Sequence, residues 1–65
     1  MIKKYTIPPD FPYQHAERVY YLPNRDRVFY VCGIRPELKQ LEGFVFIQDT
    51  EGEEYLVPIA KINKA

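Results

Sequence analysis

Few side chains in this sequence can do chemistry, and their spacing decides which chemistry is open. There is one cysteine, Cys32, and one histidine, His15. A Cys–His nucleophile needs both groups within hydrogen-bond reach and a third group to orient the base. Cys32 falls in the apolar run Val31-Cys32-Gly33, where a buried, inert thiol is the common outcome. His15 falls in the polar stretch Gln14-His15-Ala16-Glu17. No catalytic residue is assigned, and the chain is not expected to be an enzyme. A zinc site takes about four Cys or His ligands, more than the chain offers, and a disulfide within one chain needs a second cysteine. Asp49, Glu51, Glu53 and Glu54 gather carboxylates at one turn. The run Asp49-Thr50-Glu51-Gly52 lacks the ligand spacing of a calcium loop, so it reads as a solvated hairpin tip. The three glycines are scattered and form no phosphate loop. No metal and no cofactor are expected.

What remains is binding. Four Phe and six Tyr bring large apolar area to a short chain. In a strand alternate residues face opposite sides, so Phe44 and Phe46 share one face and Val45 and Ile47 the other. Both faces are apolar, and one needs a cover. The Pro-rich start is the internal candidate, with Phe11 and Tyr13 as fillers. The functional alternative is a partner meeting an aromatic face built from Tyr20, Tyr30, Phe44, Phe46 and Tyr55, because exposed apolar patches mark interaction sites. A second candidate surface interleaves Arg18, Arg25, Arg27 and Arg35 with Tyr20, Tyr21, Phe29 and Tyr30. Arginine beside stacking rings is the vocabulary of single-stranded nucleic-acid binding. Against it stands the bland reading, in which these arginines pair with the acidic half of the chain.

The elements that must position these residues are short. In residues 5–13 three prolines, Pro8, Pro9 and Pro12, exclude helix and push their neighbours to extended backbone. An extended arm over residues 1–16 is expected, with Ile7, Phe11 and Tyr13 holding it to a domain at 17–65. Residues 18–22 and 28–34 are β-forming runs, joined by a Pro23-Asn24-Arg25-Asp26 turn. Gly33 inside the second run points to a bulge or bend. Residues 35–42 break the β pattern and allow at most one helical turn. Phe44–Gln48 is the clearest strand, Asp49–Gly52 a turn, and Glu53–Val57 the returning strand. Pro58-Ile59-Ala60 interrupts it before a last short strand at Lys61-Ile62. The pattern is all-β, with four strands and a short fifth.

A chain of 65 residues buries only about 60% of the surface its unfolded form exposes. Without a disulfide or metal staple, it depends on its aromatic bulk or on a partner. Net charge is zero, which excludes a polybasic nucleic-acid tail. Charge is nonetheless uneven. Residues 18–39 carry five basic against two acidic groups, and residues 40–58 carry five acidic and no basic ones. No apolar stretch reaches the roughly 18 residues of a membrane span, so no membrane is expected as a partner. Lys3 and Lys4 precede prolines rather than an apolar run, unlike a secretory signal. With a single cysteine, a reducing cytoplasm is expected.

The order of elements over residues 17–62 resembles an SH3-like small barrel, the architecture shared by SH3, Tudor and KOW-type domains. ERVYY (17–21) is similar to its first strand. GFVFIQDTEGEEYLVP (43–58) is similar to its third and fourth strands around an acidic turn, and VPIAKI (57–62) to the 3₁₀ turn before its last strand. The resemblance implies a five-stranded barrel. The chain has no Trp and no Ala-Leu-Tyr-Asp-Tyr motif, so proline-peptide recognition does not carry over. The acidic run at 40–58 departs from the basic face of KOW domains. Small barrels host unrelated functions. The expectation is a non-catalytic module that docks on a protein or on itself, with nucleic-acid binding as the alternative.

Overall fold

The computed structural model describes residues 5–65. The first four residues of the expected arm, Lys3 and Lys4 among them, lie outside the described residues. The chain is all-β. Five strands, β1 (Arg18–Tyr21), β2 (Asn24–Gly33), β3 (Phe44–Gln48), β4 (Glu54–Pro58) and β5 (Ile62–Lys64), form one sheet in the order β4-β3-β2-β1-β5. Every pairing is antiparallel. Two 3₁₀ turns, Lys39–Leu41 and Ile59–Lys61, interrupt the strands, and no α-helix occurs among the described residues. The pairing does not close on itself: β4 and β5 are the two edges of the sheet.

The first hairpin differs from its expected form. β2 begins at Asn24, which pairs with Tyr21, so Leu22-Pro23 is the whole connection. The expected turn residues lie inside the strand. Between the pairs Val19–Phe29 and Tyr21–Asn24, β1 advances two residues while β2 advances five. Asn24 absorbs part of that excess by accepting the Asp26 N–H on its Oδ1 at 3.0 Å. Its short side chain does the turn-forming job read from the sequence, within β2 instead of before it.

The expected bulge at Gly33 is present. Val31 faces Ile47 and Gly33 faces Phe46, so Cys32 is the extra residue of β2. Gly33 sits at φ +138°, and a Cβ there would stand 2.9 Å from the Thr6 carbonyl oxygen and 3.0 Å from the Tyr5 Cβ. Only glycine lets the chain pass this close. Thr6 then bonds reciprocally with Ile34, at 2.8 and 2.9 Å. Residues 5–16 do not run extended throughout. The Phe11 N–H donates to the Pro8 carbonyl at 3.1 Å, with Pro9 supplying the preset φ that such a turn needs at its second position.

The core lies on one side of the sheet. Val19, Phe29, Val31, Val45, Ile47, Val57 and Ile62 come from the strands with period two, and Tyr13 joins them from outside. The Tyr13 hydroxyl donates to the Ile62 carbonyl at 3.1 Å. Ile7, Phe11, Ile34 and Ile59 pack around this cluster, and the Phe11 and Tyr13 rings meet edge-on at 6.0 Å. Phe11 and Tyr13 thus cover the Val45–Ile47 side of β3.

Candidate functional site

Strand register sorts the five aromatic candidates into two groups. Phe44 stands opposite Pro58, Phe46 opposite Leu56, Tyr30 opposite Gln48 and Tyr20 opposite Asn63. All four lie on the side of the sheet away from the core. Tyr55 pairs with the fully buried Ile47 and lies on the core side, so the five do not share one face. The five-residue connection from Asp49 to Glu53 sets this register. On the outer side Phe46 is half-buried beneath Tyr5, whose ring centre is 4.9 Å away, and the Tyr5 hydroxyl donates to Glu54. Phe44 and Leu56 stay 37% and 40% exposed. Beside Phe44 opens a groove of about 430 Å³, walled by Ile34, Pro36, Leu38, Leu41, Phe44 and Ile59 with Arg35, Lys39 and Glu42 among its polar lining. Leu38, Leu41 and Leu56 were not among the expected site residues. The usable signal was the three-residue spacing of the two leucines, which a 3₁₀ turn places on one side.

A second pocket, about 230 Å³, opens on the core side between Tyr21, Phe29 and Tyr55, with Ile47, Val57 and Arg27 completing it. The Phe29 and Tyr55 rings are perpendicular at 5.8 Å. The Arg27 guanidinium lies 5.1 Å from the Phe29 ring centre, and its Nη2 is 3.2 Å from Asp49 Oδ2. The Tyr55 hydroxyl donates to the same oxygen at 3.2 Å.

Asp49 is the organiser of this corner, which corrects the expectation of a wholly solvated acidic tip. It is buried, and its Oδ1 accepts the N–H groups of Glu51 and Glu53, both at 2.9 Å. The Glu53 N–H is the main influence holding its carboxyl below the ordinary range; burial opposes it, and the Glu51 N–H, Tyr55 hydroxyl and Arg27 add to the lowering. Its main chain closes the same turn, accepting the Gly52 N–H at 3.0 Å and donating to the Glu53 carbonyl at 3.0 Å, with Gly52 at φ +86°. Glu51, Glu53 and Glu54 remain exposed.

The four arginine candidates have separate surroundings. Arg18 pairs with Tyr30 on the outer side. Arg25 lies 5.9 Å over the Tyr20 ring. Arg27 pairs with Asp49, joining the basic middle of the chain to its acidic half. Arg35 pairs with Glu37 at 2.9 Å, and that carboxyl is lowered first by its own backbone N–H and then by Arg35. Exposed pairs of this kind contribute little to stability.

Cys32 is buried in the bulge. His15 Nδ1 lies 3.2 Å from the Cys32 carbonyl oxygen. A carbonyl only accepts, so Nδ1 carries the proton. Among the described residues no group of three His, Cys, Asp or Glu side chains is placed to hold a metal ion, and no helix is long and apolar enough to cross a membrane. Compared with protein-family models, with curated proteins and with solved structures, the chain matches none.

Proposed function

We propose that the chain is a small non-catalytic binding module of the cytoplasm that docks on a protein partner, or on a second copy of itself, through apolar side chains it leaves uncovered. The carrying observation is the surface around Phe44. In a domain with a filled core, Phe44 and Leu56 stay more than a third exposed on the side of the sheet away from that core, and Phe44 borders an open apolar groove. Contiguous exposed apolar side chains mark interaction sites, and interface cores are enriched in aromatic residues. Phe44, Phe46, Tyr20 and Tyr30 belong to this docking side. Tyr55 belongs to the separate pocket. In our reading the architecture is of the SH3-like kind, its barrel left open between β4 and β5, with the proline-containing residues 5–16 as an arm packed on it. The strand order, the bulge in β2 and the 3₁₀ turn before β5 support that reading.

The test is affinity capture from native lysate, with and without nuclease, using the wild-type chain and Phe44→Asp, alongside the solution mass of the free protein. The expected result is a protein retained despite nuclease, or a dimer mass, either lost in Phe44→Asp while the circular dichroism spectrum is kept. Equal capture and equal mass in both chains overturn the docking surface. Capture abolished by nuclease and steeply weakened by salt transfers the role to Arg18, Arg25, Arg27 and Arg35.

A further inference from the structure

We propose that the pocket walled by Tyr21, Phe29 and Tyr55 receives an arginine side chain from a basic segment of the docking partner, and that Arg27 is the group it displaces. The inference rests on the docking reading and adds to it a second contact, on the other side of the sheet from Phe44.

Arg27, one wall of the pocket, already shows how a guanidinium is held at its edge. The pocket's volume, about 230 Å³, suits a single side-chain head. Two perpendicular rings, Phe29 and Tyr55, form adjoining walls, and the buried Ile47 and Val57 make a dry floor. A guanidinium lies over the Phe29 ring at 5.1 Å, inside the range of about 6 Å over which a ring face attracts a cation. Its edge meets a fixed carboxylate. Asp49 Oδ1 is committed to two backbone N–H groups, which leaves Oδ2 for Tyr55 and Arg27.

Arg27 is a loose occupant. Its side chain is 56% exposed, and it meets Asp49 through one nitrogen at 3.2 Å, where a guanidinium can offer two parallel bonds. An incoming arginine replaces it charge for charge. Asp49 is therefore never left buried and unpaired, which is the costly step in breaking such a contact. Charge around the pocket favours the exchange. The connection that carries Asp49 also carries the exposed Glu51 and Glu53, and residues 40–58 hold no basic group. A basic segment is steered toward this corner.

The test titrates ethylguanidinium, and then the blocked tripeptide Gly-Arg-Gly, into the wild-type chain and into Arg27→Gln, following ring signals by NMR. Saturable shifts are expected at Tyr21, Phe29 and Tyr55. Binding is expected to tighten about fivefold in Arg27→Gln, because the incoming guanidinium no longer competes with Arg27 for the Phe29 face and Asp49 Oδ2. Tyr21→Ala, at an exposed position, is expected to lose the response while keeping its amide spectrum. The absence of saturable ring shifts in both wild type and Arg27→Gln overturns the proposal, as does an equal response to n-butylammonium. Partner capture that depends on Phe44 but is indifferent to Tyr21→Ala sinks this inference and leaves the docking reading standing.

Discussion

Asp49 is the residue on which the acidic turn depends. Its side chain gathers two N–H groups, a hydroxyl and a guanidinium. Asp49→Ala strips all four at once and is expected to lower the melting temperature by several degrees, whereas Glu51→Ala at the exposed tip leaves it nearly unchanged. Thermal melts of the two variants decide this. The pH dependence has a definite sign. The folded carboxyl titrates below its ordinary value of 3.8, so its contribution is complete above that value and is lost as pH falls toward the lower folded one. The stability gap between wild type and Asp49→Asn is therefore widest at neutral pH and narrows in acid. A gap that widens in acid contradicts the assignment. This role was only half legible in the sequence. An Asp that bonds nearby N–H groups is ordinary turn chemistry. Its burial follows from Tyr55 and from Arg27, 22 residues away, and no local pattern reports that.

At the scale of elements, the bulge in β2 is where the proline-containing segment meets the sheet. Gly33→Ala would place a methyl group against the Thr6 carbonyl, at a φ that L side chains rarely adopt. The expected cost is about 1–3 kcal/mol, read by urea denaturation, with faster amide exchange at Thr6 and Ile34, which bond to each other. An unchanged midpoint and unchanged exchange would mean that this approach matters little. Gly33 announced the bulge because a glycine weakens a β-branched and aromatic run unless the backbone must bend there or pass close to another segment. The strands expected over Phe44–Gln48 and Glu53–Val57 were legible for a similar reason, being strongly β-forming runs around a Gly-containing turn, although the second runs from Glu54 through Pro58. The turn of the first hairpin was not legible. Pro23, Asn24 and Asp26 look like a loop, and nothing local says that Asn24 pairs with Tyr21. The face of Tyr55 was hidden too, since it depends on the cross-strand partner that the length of the turn selects.

At the scale of the whole molecule, a chain this small has no spare core. Tyr13 is the one core side chain from outside the strands among the described residues, and it ties residues 5–16 to β5 through Ile62. Tyr13→Ala is expected to cost about 3–5 kcal/mol by loss of packing, against a total stability of roughly 5 kcal/mol for a small domain. Tyr13→Phe loses only the hydrogen bond, about 1 kcal/mol. Urea titration of both variants separates the two contributions, and a mild Tyr13→Ala would show that residues 5–16 are dispensable to folding. The sequence pointed to Phe11 and Tyr13 as cover because β3 is apolar on both sides. It could not say which side they take, because that depends on contacts far along the chain, such as the Tyr13 hydroxyl on the Ile62 carbonyl. The bulge in β2 leaves the molecule with a built-in chemical clock. Its single thiol, Cys32, is buried where Tyr5, Thr6 and His15 approach β2. An alkylating reagent reaches a buried thiol only in opened forms of the structure. The speed of its labelling, read by mass spectrometry on the unaltered chain, therefore follows the population of those opened forms wherever reclosing outpaces alkylation.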